Sequence, residues 1–298
     1  MKIFTLAYTG AKLDYRINLG DEIQSIAASR LLPHVDGAVS RESLHLVKDP
    51  CVVSFNGFFM DSLNWPPSKN VIPIPFAFHI SRKYEKNICS EAGLAYIKRF
   101  EPIGCRDRGT QSILQKHGVD AYYSKCLTLT IDKRDKQPEN GKIYIVGVTN
   151  SLQRVIPRDC RNEAVYVNQS KVQLPNFSPK LKAEMAHSLL EDYKNNASLV
   201  ITSRIHCAMP CVAMGIPVIF LFSKQNSDDY RVKIIEDIIG INYIDERALF
   251  LKPVQQYYMK KINWGPDVAD IELEKKSIKE RYHQAIEKAV VDYEESFG

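Results

Sequence analysis

Short apolar runs alternate with stretches of helical period along nearly the whole chain. Lys2 to Tyr8, Cys51 to Phe55, Ala121 to Thr130, Lys142 to Val148, Ala164 to Asn168, Leu199 to Ile201, Pro217 to Phe222 and Asn242 to Ile244 read as buried strands. Glu101 to Gly104 reads as a short strand or loop, and the prolines of Val71 to Ser81 argue for an edge strand or extended loop. Helices fit between them. Asp21 with Gln24 three residues on resembles a capping box, and Ile23, Ile26, Ala27 and Leu31 share a face. Ser90 to Arg99 forms a helix, and Asp107 caps another that ends at Gly118. Ser178-Pro179 opens a helix whose buried stripe is Leu181, Met185 and Leu189. Small and apolar residues up to Met214 make a closely packed helix, closed by Gly215 and stopped by Pro217. A further helix runs to Ile239 and closes at Gly240. Ile271 to Tyr293 is a long amphipathic helix with Ile278, Tyr282, Ala285, Ile286, Ala289, Val290 and Tyr293 on one side.

Strand and helix alternating in both halves predict an α/β protein with two Rossmann-like, doubly wound domains facing a cleft. Asp132 to Gly141 is wholly polar with Pro and Gly, and serves as the linker. The expected division is a first domain over 1–135, a second over 140–265, and a C-terminal helix over 266–298 that packs back.

At 298 residues with a net charge of +5, the chain is too mildly basic to indicate nucleic acid, but suits acidic ligands or an anionic membrane face. Seven scattered cysteines form neither metal spacing nor an even framework, so they read as reduced core residues of a cytoplasmic protein. The N-terminal apolar run is too short for a signal peptide, and no segment has the length of a membrane span.

Three polar turns lie between a strand and a helix: Asn18-Leu-Gly-Asp21, Cys105-Arg106-Asp107-Arg108 and Ser203-Arg204-Ile205-His206. In an open parallel sheet such turns sit at the carboxyl edge where ligands bind, and a helix start offers open N–H groups to an anion. Arg106 and Arg204 are therefore candidate anion clamps, with Ser203 and Arg231 as weaker hydrogen-bonding candidates. Phe58, Phe59 and Trp65 are candidates to flank a sugar ring or to plug the core, and His79 is a second-rank candidate.

The three turns together resemble the polysaccharide pyruvyl transferase family, most specifically through Ser203-Arg204-Ile205-His206 and the Gly-Ile-Pro-Val strand after it. The resemblance implies a GT-B-like architecture. It also implies transfer of the enolpyruvyl carbon of phosphoenolpyruvate onto two hydroxyls of a sugar, forming a pyruvate ketal. In that chemistry Arg106 and Arg204 would hold the phosphate and carboxylate, His206 would be a general acid or phosphate partner, and Asp21 would accept a hydroxyl proton or merely cap its helix. Asn18 would join the substrate-binding set. No cofactor and no metal are needed beyond the phosphoenolpyruvate donor, and the acceptor is a sugar for which a lipid-linked form suits the basic charge. The Gly-rich turn that many family members carry after the third strand is replaced here by Asn56-Gly57-Phe58-Phe59, where the acceptor side is expected to differ. Two rivals share the architecture: a glycosyltransferase using a nucleotide sugar, and a non-catalytic carbohydrate-binding relative.

Overall fold

The computed structural model describes residues 1–9, 16–59, 64–172 and 177–298, and, within these, not the side chains of Arg16, Phe58, Phe59, Lys171 and Val172. The first half contains β1 (Ile3–Ala7), β2 (Arg16–Asn18), α1 (Leu19–Ser29), β3 (Gly37–Ser40), β4 (Cys51–Ser54), β5 (Gly57–Phe59), β6 (Val71–Ile74), β7 (Phe78–Ile80), α2 (Glu85–Ile88), α3 (Glu91–Lys98), β8 (Ile103–Cys105), α4 (Arg108–Lys116) and β9 (Ala121–Tyr123). The second contains β10 (Lys142–Val146), α5 (Arg158–Glu163), β11 (Val165–Val167), β12 (Ser170–Val172), α6 (Pro179–Asn196), β13 (Ala197–Thr202), α7 (Ile205–Ala213), β14 (Val218–Ser223), α8 (Lys233–Glu236), β15 (Asn242–Ile244) and α9 (Lys252–Lys261). It is followed by α10 (Glu272–Phe297).

Parallel pairing builds both halves: strands such as β4, β13 and β14 are apolar and buried on both faces, whereas the edge strands β3 and β11 are partly exposed. The strand orders β3-β1-β4-β6 and β5-β7-β8-β9 follow on from one another, since β4 leads into β5 and β6 into β7. The second half is one sheet, β11-β10-β13-β14-β15, entirely parallel. Its order reverses between β10 and β13, and the first half reverses likewise between β1 and β4. In such sheets the crevice opens at the carboxyl ends beside the reversal. The fold is thus Rossmann-like in both halves.

Several local expectations need correction. Asn18, not Asp21, is the N-cap of α1, and its side chain makes no cap hydrogen bond. The Asp21–Gln24 pair is therefore no capping box, because the helix already starts at Leu19. Along α6 the buried residues are Lys182, Ala186, Leu190 and Tyr193, one position on from the predicted stripe, and Leu181 is exposed. The spacing from Ala186 through Leu190 to Tyr193 sets that face and carries Lys182 inward. Val71 to Ser81 is an edge strand only in its proline-bearing half: β6 ends its sheet, whereas β7 lies between β5 and β8. The apolar run from Ala121 leaves the sheet after Tyr123 and ends in a 3-10 turn over Leu127–Thr130. A two-stranded antiparallel ribbon, β2 with β12, ties the two halves together and has no warning in the sequence, its strands being three residues long.

The polar linker is fastened rather than free. Arg134 is buried, donates to the carbonyl of Ala197 at 2.6 Å, and bonds Gln137, which reaches Gly215 O at 3.4 Å. The long C-terminal helix crosses back as predicted. Its buried face is Lys275, Ile278, Tyr282, Ile286 and Ala289. Tyr282 hydrogen-bonds Ser54 Oγ at 2.8 Å in the first half, while Lys275 Nζ donates to Ala213 O at 2.9 Å, at the carboxyl end of α7 in the second. That ammonium meets the negative end of the α7 dipole.

All seven cysteines are free thiols, five of them buried. Among the described residues no helix is long and apolar enough to cross a membrane.

Candidate functional site

A cleft of about 700 Å³ lies between the two halves, lined by residues of both. From the second half it receives the turn between β13 and α7. Thr202 Oγ1 donates to Val146 O at 2.9 Å and accepts the N–H of Arg204 at 2.9 Å, which locks the turn onto β10. Ser203 Oγ donates to Leu221 O at 2.7 Å, so its proton is committed to the backbone of β14. Arg204 is the N-cap of α7 and is exposed to the cleft; among the described residues no carboxylate pairs with it. Pro210 lies inside the helix, four residues after His206, and the backbone of His206 leaves helical geometry at φ −86° and ψ 20°. A proline ring crowds the carbonyl four residues earlier, so the kink at His206 is written into the local sequence.

Arg204 rests on Gly147, the residue just after β10. Gly147 has φ +60°, and a Cβ built there would fall 2.6 Å from Arg204 Nε. This is the sheet's point of reversal, and the missing side chain is what lets the guanidinium lie along the backbone. From the other half, α1 approaches His206 equally closely: a Cβ on Gly20 would stand 3.1 Å from the Cβ of His206.

The first half contributes a chain of hydrogen bonds. Asn18 Nδ2 donates to Asp21 Oδ2 at 2.8 Å, Gln24 Nε2 donates to Asp21 Oδ1 at 3.3 Å, and Arg106 Nη1 donates to Gln24 Oε1 at 3.1 Å. The turn at Asn18–Asp21 and the turn at Arg106 are therefore one unit, with Arg106 aimed at the cleft from a buried stem. Asp107 caps α4 as expected, accepting the N–H of Thr110 at 2.8 Å. Its other oxygen takes a 2.6 Å hydrogen bond from His79 Nδ1. His79 is fully buried behind Arg106 and does not line the cleft. Trp65 does not reach it either: it packs against Phe55, Phe78 and Tyr96 with ring centroids 5.8 to 6.3 Å away, and so belongs to the core, as a large apolar ring with few polar neighbours does. Residues 60–63 of the predicted aromatic loop, and the side chains of Phe58 and Phe59, lie outside the described residues.

Arg231 lines the cleft and is paired with Asp229. Beside it, the Tyr230 hydroxyl donates to Ile80 O, and its ring covers Gly109, where a Cβ would come within 2.2 Å of Cδ2. The loop that carries Arg231 is thereby pinned onto α4 of the first half.

Five charged groups that line the cleft were not among the sequence candidates: Arg41, Lys182, Glu22, Asp228 and Asp229. Arg41 is almost fully buried, bonds Glu42 at 2.7 Å and lies 5.2 Å from the Tyr8 ring. Lys182 is buried, with Nζ donating to Tyr8 O at 3.3 Å. Its signal was present in the α6 spacing, whereas nothing local marks Arg41. Glu22, 6% exposed, follows Asp21 on the first turn of α1.

The electrostatics favour an incoming anion. Burial, then Arg106, His79 and Arg231, hold His206 well below the ordinary histidine range, and its buried Nε2 has no hydrogen-bond partner among the described residues. Burial first, and the Arg106 and Arg231 charges after it, keep the ring neutral. Burial and the Asp21 charge push Glu22 up to about 8, with Lys182 opposing. Glu22 is therefore mostly protonated at neutral pH and cancels little of the cationic charge.

The Glu22 shift has a measurable sign. Its folded value lies above the ordinary 4.5, so the folded state binds the extra proton between about pH 4.5 and 8. Stability from this group is complete below that window and is lost as pH rises through it. Glu22→Gln is expected to flatten this dependence. In urea titrations, its stability relative to the wild type should rise by about 1.4 kcal/mol per pH unit across the window. A difference independent of pH would mean that Glu22 is ionised in the fold.

These residues fall inside a family match. A family model described as Polysaccharide pyruvyl transferase matches residues 18–221. None of the curated proteins compared with the chain matches it. Among solved structures, UDP-N-acetylglucosamine 2-epimerase is similar at a TM-score of 0.50 and 11% identity, covering 98% of this chain and 96% of its own. That likeness shows the shared two-domain fold alone. An uncharacterised protein of Klebsiella pneumoniae has a TM-score of 0.48 and 12% identity, covering 82% of this chain and 92% of its own. The match begins at Asn18 and extends past Arg204 and His206, taking in all three strand-to-helix turns that build the cleft, and the chain belongs to the polysaccharide pyruvyl transferase family.

Proposed function

We propose that the chain transfers the enolpyruvyl group of phosphoenolpyruvate to two hydroxyls of a sugar in a polysaccharide or its precursor, closing a pyruvate ketal. The observation that carries this reading is the cationic excess of the cleft, where Arg41, Arg106, Lys182, Arg204 and Arg231 stand against Asp21, Asp228 and Asp229, with Arg106, 3.8 Å from Asp107, on one wall and Arg204 with His206 on the other. Phosphoenolpyruvate carries two anionic groups, and the planar guanidinium fork of arginine binds phosphate or carboxylate in a bidentate way. Arg204, at the start of α7, is the phosphate clamp, aided by the open N–H groups of that helix; Arg106 takes the carboxylate.

An arriving phosphate brings negative charge beside His206 and offsets the burial and neighbouring cations that keep the imidazole neutral. His206 then takes up a proton and serves as general acid. In the reaction a proton is added to the methylene carbon, one sugar hydroxyl bonds to C2, inorganic phosphate leaves, and the second hydroxyl closes the ring. Asp21, held by Asn18 and Gln24 instead of capping its helix, is the candidate acceptor of a hydroxyl proton. Ser203 has a lesser part, since its proton is committed to Leu221. Trp65 and His79 support the fold around the cleft. The scheme uses no cofactor, and the free thiols suit the cytoplasm.

Thermal melting with phosphoenolpyruvate and with uridine diphosphate tests the donor. At about a hundred times its dissociation constant, a ligand of the folded state adds about 2.7 kcal/mol. Stabilisation by phosphoenolpyruvate, followed by phosphate release once a sugar acceptor is supplied, is the expected result. Stabilisation by uridine diphosphate and none by phosphoenolpyruvate would assign the cleft to a nucleotide sugar.

A further inference from the structure

After β15 the chain runs from Arg247 to Pro266 with four basic residues, Arg247, Lys252, Lys260 and Lys261, and not one Asp or Glu. Asp245 and Glu246 precede the segment and Asp267 and Asp270 follow it, so the basic excess is confined to α9 and its approach. The same segment exposes large apolar side chains: Phe250 is 72% exposed, Tyr257 57% and Leu251 45%. Helix α9 explains how they come to stand together. Val254 and Tyr258 pack inward, with Leu249 and Ile262, onto the core of the second half. That orientation leaves Pro253, Gln256, Tyr257, Lys260 and Lys261 on the outer face at helical spacing, and the Lys261 ammonium lies 5.6 Å from the Tyr257 ring.

An acidic protein partner would account for the lysines but not for an outward Phe250-Leu251 pair. A second copy of the chain would account for the apolar tips, but would bring like charges together. A bilayer with anionic headgroups satisfies both features. Apolar tips enter the boundary between headgroup and acyl chain, while the basic residues lie at the phosphates. The place of the patch also fits. It follows the carboxyl end of β15, on the same sheet edge as Gly147 and Arg204, and Thr149 Oγ1 donates to Glu246 Oε1 at 2.9 Å to tie the two loops together. We propose that this face of α9, with Phe250 and Leu251, docks the protein on an anionic lipid bilayer.

Flotation of the purified full chain with phosphatidylcholine vesicles, with and without phosphatidylglycerol, tests the proposal. The wild type is expected to float only with phosphatidylglycerol present, and less so as salt rises. Each basic residue at a charged surface is worth about fivefold in partitioning, so K260Q/K261Q should bind about 25-fold more weakly. F250S/L251S should also lose binding, and both variants should keep the wild-type melting temperature because these side chains are exposed. Failure of the wild type to float with phosphatidylglycerol vesicles would overturn the proposal, as would variants that float like the wild type. Light scattering on the same samples covers the remaining case. If the wild type self-associates, F250S/L251S disperses it and vesicles stay unbound, the patch is covered by a second copy and the proposal fails.

Discussion

Replacing Arg204 by alanine is expected to leave the protein folded, to abolish stabilisation by phosphoenolpyruvate, and to lower kcat/KM for ketal formation about a hundred- to a thousandfold. The range is that for removing one positioned donor from a developing or transferring anion. Folding is spared because the Arg204 side chain is exposed and, among the described residues, has no carboxylate partner; the turn itself is held by the hydroxyls of Thr202 and Ser203. Arg204→Lys restores the charge but not the two-pronged geometry, so it should recover part of the binding and less of the turnover. Melting curves with and without the donor, alongside steady-state rates, separate the possible outcomes. An undiminished donor shift in Arg204→Ala would remove Arg204 from the site. A collapse of the ligand-free melting temperature would make its role structural.

Gly147→Ala should reproduce much of this loss from a residue that need not touch the donor. Two effects combine. At φ +60° a residue with a Cβ costs about 1–2 kcal/mol more than glycine. The added carbon would also fall 2.6 Å from Nε and 2.7 Å from Cγ of Arg204, so the side chain must swing away from the cleft. The expected result is a stability loss of about 1–2 kcal/mol, together with a donor shift reduced towards that of Arg204→Ala. The double variant decides the mechanism. If Gly147 acts by seating Arg204, donor binding in G147A/R204A should be no weaker than in R204A alone. Additive losses would mean that Gly147 meets the donor by itself.

Legibility in the sequence followed the range of the cause. Arg106, Arg204 and His206 were readable because each sits where an apolar strand gives way to a helix start, a pattern contained in a few neighbouring residues. The kink at His206 was there too, in Pro210. Local spacing can also mislead. Asp21 and Gln24 have the interval of a capping box, yet the helix begins earlier and the pair instead holds the hydrogen-bond chain to Arg106. The Leu181, Met185 and Leu189 stripe competed with the one that α6 buries, and Lys182 was lost in the difference. Trp65 shows what local pattern leaves open: an aromatic in a proline-rich loop suited a sugar platform or a core plug alike, and only its neighbours in space decide for the core.

By itself, then, the order of residues determined the alternating α/β plan, the long returning helix and the strand-to-helix turns that bring Arg106, Arg204 and His206 to the cleft, because periodicity, caps and turn chemistry act within a few residues. Which wall Arg106 and Arg204 occupy, the arrival of Arg41 and Lys182 at the same cleft, the seat that Gly147 makes for Arg204 and the neutral state of His206 were decided only by the tertiary structure. Each depends on distances between groups far apart in the chain, and electrostatic and steric interactions respond to distance in space.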